Sequence, residues 1–190
     1  TAIGYDSLGA NTTGSNNTAI GERAGDSLTT GSNNMCLGYN SDASSATVSN
    51  EITLGNSNIS ALRCQVTSIS SLSDMRDKTD IIPSSIGLNF INDLKPSVYK
   101  WDKREWYAEG IRDGSKKEDK LNLGFIAQDL DEIQKKYNAE FLNLVYFSNP
   151  EKLETTAGNL LPVMVKAIQD LSKKIDEQQI EIDSLKALQG

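Results

Sequence analysis

A four-residue signature returns every 17 residues along the first third of this 190-residue chain. Thr1-Ala2-Ile3-Gly4 is followed by Thr18-Ala19-Ile20-Gly21, then by Met35-Cys36-Leu37-Gly38 and Ile52-Thr53-Leu54-Gly55. The hexapeptide TTGSNN at 12–17 recurs unchanged at 29–34, and residues 1–17 share 10 identities with 18–34. A short fixed period means that each repeat is one turn or strand unit, unable to bury an apolar face except against its neighbours. The spacing predicts short strands, with Ile3, Ile20, Leu37 and Leu54 pointing into a stacked core. The glycine after each of them marks where the chain turns or meets a neighbour closely. So few apolar residues per repeat leave one chain short of the burial needed to offset the entropy of ordering. Several chains sharing one core would resolve that. A disordered low-complexity linker has a similar composition, but it needs no apolar residue in register.

These repeats resemble the stacked units of trimeric autotransporter adhesin heads and of phage tail-fibre stalks, although those families use several periods. The resemblance implies that residues 1–72 are an all-β repetitive trimeric stalk, β-helix or β-roll like. Thr1 stands where an initiator Met would be, so we expect a longer parent chain.

The chain changes character after residue 72. Ten of its twelve aromatic residues lie between Phe90 and Phe147, so a globular core belongs there. SSIGLNFINDLKPSVYKWD (84–102) reads as a short helix ended by Pro96, then a strand carrying Val98, Tyr99 and Trp101. LNLGFIAQDLDEIQKKY (121–137) reads as a strand turning into an amphipathic helix. Between them, 102–120 is charged, contains Gly110 and Gly114 and lacks periodicity, as a surface loop or protruding arm does. We therefore expect an α+β domain over 73–159.

The clearest periodicity lies at 160–190. Leu161, Met164, Ile168, Leu171, Ile175, Gln178, Ile182 and Leu185 alternate spacings of three and four, the seam of a coiled-coil trimerisation helix. A helix packed only on its own domain would show a wider apolar stripe. Ile at a with Leu at d ordinarily favours a parallel dimer. The stalk-like repeats favour three strands, with Gln178 helping to set register.

Composition removes several kinds of chemistry. With no histidine, Ser-His-Asp triads, Cys-His dyads and His-ligated metal sites are excluded. Cys36 and Cys64 have no C-x-x-C spacing and read as two buried thiols; neither a metal nor a cofactor is expected. A net charge of −7 argues against a nucleic-acid partner. No apolar run approaches the roughly 20 residues of a membrane span, so no membrane insertion is expected. A catalytic site must then be built from Ser, Lys, Asp or Glu.

Such a site is offered at the boundary itself, in SSLSDMRDKTDII (70–82). Taken bare, Ser73, Asp74 and Arg76 are an ordinary helix-start or turn signal, and a Ser and a Lys five residues apart occur often by accident. In context, Ser73-Asp74-x-Arg76-x-Lys78-x-Asp80-Ile81 resembles the start of the intramolecular chaperone domain of endosialidase tailspikes, phage tail fibres and neck appendages. The same module occurs in myelin regulatory factor. LKPSVYKW (94–101), LGFIAQDL (123–130) and LLPVMVKAIQDL (160–171) agree with it in order and spacing, so the resemblance covers 73–190.

What the resemblance implies is auto-proteolysis between Leu72 and Ser73. Ser73 would be the nucleophile and Lys78 its base, with Asp74 and Arg76 orienting the pair or stabilising the oxyanion. A lysine can serve as base where burial favours its neutral form. The charged loop (Lys103, Arg104, Glu105, Arg112, Lys116, Lys117) resembles arms that reach back along the stalk, and solvent exposure explains its charges equally well. The implied protein is a homotrimeric virion tail fibre, assembled in the host cytoplasm, whose full-length form meets a host-cell surface receptor. Its chaperone would direct stalk folding and then leave. The alternative is a structural fibre tip or trimeric adhesin that is never cut. An enzyme acting in trans is a weaker third reading.

Overall fold

The computed structural model describes residues 1–66 and 68–188. Thr67, inside the expected stalk, and the last two residues of the expected coiled coil lie outside the described residues. The chain divides into two compact units, Thr1–Thr79 with Ser148–Glu151, and Asp80–Phe147 with Lys152–Gly190. Among the described residues no helix is long and apolar enough to cross a membrane.

In the first unit, each repeat signature forms one short strand: β1 (Ala2–Ile3), β2 (Thr18–Ile20), β3 (Met35–Leu37) and β4 (Ile52–Leu54). They pair in parallel, in sequence order, with Ala2 opposite Ala19, Cys36 opposite Ala19 and Thr53 opposite Cys36. Every strand is thus 17 residues from its neighbour, as the repeat demands. The polar residues between strands follow the same offset. Thr12 and Thr29 hydroxyls donate to the Thr29 and Ala46 carbonyls at 3.0 and 3.1 Å. Asn34 N–H donates to Asn17 Oδ1 at 2.9 Å, and Glu51 N–H to Asn34 Oδ1 at 3.0 Å. Asn17 and Asn34 are buried, so the bond between them satisfies a backbone N–H that lies inside the turn.

The inward position differs from the expected one. Ile3, Ile20 and Leu54 are 58%, 42% and 52% exposed, and the buried residues are Ala19 and Cys36, one position earlier, with Ala24 and Leu28. Side chains alternate across a strand, so in β2 and β3 the central side chain, Ala19 or Cys36, faces in, while Leu37 is half-buried. The inside of one turn holds mainly small side chains, and the larger ones form a ladder outside. Cys64 is a second correction: it is exposed, and only Cys36 is a buried thiol. Burial, then the nearby Asp42 and Glu51 carboxylates, push the Cys36 thiol up to about 11.

The second unit contains α1 (Leu88–Asp93), β5 (Ser97–Tyr99), β6 (Asn122–Gly124), α2 (Ala127–Lys136), β7 (Val145–Tyr146), β8 (Glu154–Thr155) and α3 (Leu161–Ala187). β5 pairs antiparallel with β6, and β7 with β8. Phe90 of α1 is fully buried among Leu130 and Ile133 of α2, Leu144, Val145, Leu160 and Val163, with Tyr137 edge-on to its ring at 5.3 Å. The buried Gln134 ties down the turn after α2, its Oε1 accepting Leu144 N–H at 3.2 Å. In the 102–120 loop, Lys103 lies over Trp101 and Trp106 at 5.3 and 5.4 Å, and Glu105 pairs with Lys152 at 3.0 Å. These charges therefore have local partners.

α3 carries two stripes. Val163 and Ala167 are buried, and Asp170 accepts Leu88 N–H at 3.2 Å, locking the start of α1 to α3. The Lys166 ammonium, with that amide, holds the Asp170 carboxyl below the usual carboxylate range. The contact is close: a Cβ on Gly87 would sit 2.3 Å from Asp170 Oδ2. The expected seam lies on another face, and its seven apolar members, Leu161 to Leu185, are all exposed.

Two outcomes follow from this packing. A Cβ on Gly21, which has φ +134°, would meet the Gly38 carbonyl oxygen at 2.5 Å, whereas Gly110 at φ +70° has open space around it. Gly21→Ala is expected to destabilise the first unit by about 3 kcal/mol or more and Gly110→Ala its own by about 1 kcal/mol, as read by thermal unfolding. In thiol labelling at pH 8, Cys64 should react promptly and Cys36 only on unfolding, since burial and a raised pKa both suppress its thiolate. Equal labelling of both in the folded protein would contradict this burial.

Candidate functional site

The segment around Ser73 is organised by one short turn. Met75–Asp77 form a 3-10 turn whose N-cap is Asp74, with Asp74 Oδ1 accepting Arg76 N–H at 2.9 Å. Lys78 closes it, its N–H donating to the Met75 carbonyl at 3.1 Å. Asp is a favoured N-cap because its carboxylate satisfies an otherwise orphaned N–H. Arg76 then folds back on the same carboxylate, Nε contacting Oδ1 and Oδ2 at 3.0 and 3.1 Å and Nη2 contacting Oδ2 at 2.6 Å. These hydrogen bonds hold the Asp74 carboxyl below its usual range, the Arg76 side chain contributing most and its amide next.

The turn brings the two expected reactive groups together. Lys78 Nζ lies 2.6 Å from Ser73 Oγ. Five residues of extended chain would separate these side chains by roughly 17 Å at about 3.3 Å per residue, so the turn makes the contact possible. In the charged form, the ammonium donates to Oγ. After loss of a proton the direction reverses, and the Ser73 O–H can donate to the amine lone pair, as a nucleophile does to its base. Ser73 directly follows the carbonyl of Leu72, so the hydroxyl, the amine and the expected scissile bond share one short stretch.

Asp74 and Arg76 bind each other around the turn, which gives them a bracing position. The arrangement differs from expectation in its exposure. Leu72, Ser73, Asp74, Arg76 and Lys78 are all exposed, so one chain does not supply the burial expected around Lys78. Sequence reading also missed the apolar flanks of the bond: Ile69 is 96% and Leu72 102% exposed. The three-residue spacing of Ile69, Leu72 and Met75 was the available signal.

Residues 73–139, roughly a third of the chain, match a family model described as chaperone of endosialidase, whose label also carries a peptidase designation. The match starts at Ser73 and supports an endosialidase-type chaperone domain over this stretch. Comparison with curated proteins and with solved structures gave no match.

Proposed function

We propose that this chain is an intramolecular trimerisation chaperone joined to the β-repeat stalk of a phage tail fibre or tailspike, and that it releases itself by cutting between Leu72 and Ser73. The observation that carries this reading is the 2.6 Å contact between Lys78 Nζ and Ser73 Oγ, placed at the first residue of the matched chaperone stretch.

The chemistry follows from the nucleophile's place beside the bond. Ser73 Oγ attacks the Leu72 carbonyl carbon while Lys78 accepts the hydroxyl proton. The C–N bond breaks as the C–O bond forms, and the proton passes to the Ser73 nitrogen. An ester then joins Leu72 to the Ser73 side chain, with a free Ser73 amine. Water hydrolyses that ester, leaving a Leu72 carboxylate and restoring the Ser73 hydroxyl. Asp74 and Arg76 hold the turn that keeps Lys78 in reach. The reaction runs once in each chain and needs no cofactor.

Homotrimer formation provides what the single chain lacks. The exposed seam of α3 and the outer ladder of Ile3, Ile20 and Leu54 are apolar surfaces that copies of the chain can cover. Packing of neighbouring subunits around Lys78 would exclude water and favour its neutral form, so that the cut follows correct assembly. In the virion, the fibre left behind would meet a host surface receptor. The alternative, an uncut structural tip or adhesin, draws on the exposure of Ser73 and Lys78 in the single chain.

Intact mass and denaturing gels of the purified protein separate the two readings. We expect two fragments split at 72/73, and one uncut species from Ser73→Ala and from Lys78→Ala. Lys78→Arg should also slow the cut by about a hundredfold or more, because arginine keeps its charge and cannot act as base. Wild-type cutting in any of the three variants would remove the dyad.

A further inference from the structure

One contact within the first unit joins residues from opposite sides of the Leu72–Ser73 bond. Ser148–Glu151, in the connection between β7 and β8, belongs to the first unit rather than the second. Asn149 Nδ2 donates to the Ser44 carbonyl at 3.1 Å, and the Ser44 and Ser148 hydroxyls are 2.5 Å apart. Asn149 is itself held, its Oδ1 accepting Glu151 N–H at 3.0 Å. Ser44, Glu51, Ser148 and Asn149 are all half-buried, so water is partly excluded from the contact.

The contact falls where the repeat departs from its own pattern. Asn17 and Asn34 occupy one column, and both ends of each amide are used within the stack. Asn17 Oδ1 accepts Asn34 N–H while its Nδ2 donates to the Gly31 carbonyl. Asn34 Oδ1 accepts Glu51 N–H while its Nδ2 donates to the Val48 carbonyl. The next member of the column is Glu51, whose longer side chain turns aside so that Oε2 accepts Ser44 N–H at 2.8 Å. That carboxylate fixes the Ser44 peptide whose carbonyl Asn149 meets. One repeat earlier the equivalent residues are Ser27 and Asn34, and an asparagine supplies no carboxylate. The surface is therefore specific to one rung: an amide and a hydroxyl held by a turn meet a peptide group held by a glutamate.

We propose that the Ser44 loop of the third repeat is the docking site for Ser148–Asn149, and that this contact keeps the two pieces together after a cut at 72/73. Neutral hydrogen bonds of this kind are individually weak. In the intact chain the covalent connection supplies the rest of the hold. After the cut, the three copies of the proposed trimer act together, and several weak contacts in parallel hold far more tightly than one. Departure of the chaperone piece is then a second step, set by undocking rather than by the cut. That consequence rests on the self-cutting reading above; the contact itself does not.

The test separates undocking from self-cleavage. In the full chain carrying Ser73→Ala, a recognition sequence for a site-specific protease is inserted between Ser70 and Ser71, so that an added enzyme makes the cut. The C-terminal piece is immobilised through a C-terminal tag, and loss of the N-terminal piece is followed after cutting. Asn149→Asp keeps the acceptor for Glu151 N–H but sets a carboxylate against the Ser44 carbonyl. It should speed the loss about tenfold or more, as expected when a hydrogen bond is removed and its partner left unpaired. Glu51→Ala should act likewise, whereas Glu51→Gln keeps an acceptor for Ser44 N–H and should stay within about twofold of the parent. Asn159→Asp removes an amide-to-carbonyl bond to Leu142 inside the second unit and should change nothing. Circular dichroism before the cut checks that each variant is folded. Loss of the parent piece within the time of cutting, or one rate for parent, Asn149→Asp and Glu51→Ala, would overturn the docking site and leave the self-cutting reading untouched. Faster loss from both variants, in a protein whose Ser73 form is never cut, keeps the docking site and removes its role after the cut.

Discussion

The inside of a 17-residue turn is small, and much of the rest follows from that. It admits Ala19, Ala24, Cys36 and Leu28, which leaves Ile3, Ile20 and Leu54 outside. The rungs are joined by backbone pairing and by the Asn17 and Asn34 side chains, each bond reaching one repeat onward. Such bonds hold neighbours firmly but look alike in every repeat. A slip of one whole repeat, between chains or within one, would restore most of them. Register in a repeat region of this kind has to come from elsewhere.

In the function proposed here, the second unit supplies it. Its own core is complete around Phe90, and α3 is fastened to α1 through Val163, Ala167 and the Asp170–Leu88 hydrogen bond. The fastening uses one narrow stripe and leaves the heptad seam free along the helix. The core of this unit therefore does not use the seam residues. Local helical contacts form quickly, whereas distant strand pairings are slow. In the proposed trimer, a seam that assembles first would hold three repeat regions side by side while their rungs form.

The features legible in the sequence were periodic or local. The 17-residue pairing of the strands, the short helix ahead of Pro96, α2 and α3 all follow from spacing that one window of sequence contains. The Ser73–Lys78 pair came from the resemblance and not from its spacing, which is ordinary, and the Asp74 cap that bends the chain between them accounts for their contact. The inward face of the strands was not. Two or three residues give alternation without phase, and size favoured Ile where the inward strand position is held by Ala19 or Cys36. Asp170 could not be found either, because its partner amide at Leu88 is 82 positions away. Nor does composition reveal that Cys64 is exposed while Cys36 is buried.

What links the two halves of this account is the exposure of the Ser73–Lys78 pair. The contact between Lys78 and Ser73 exists in one chain, but burial around it does not. If neighbouring subunits supply that burial, the cut becomes a report of assembly. The direct measurement is the rate of cutting at 72/73 as the unfolded chain is refolded over a range of concentrations. The account predicts a rate that rises with concentration in dilute solution and levels off once the trimer forms quickly. Cutting at one rate in dilute monomer and concentrated trimer, or none at any concentration, would contradict it.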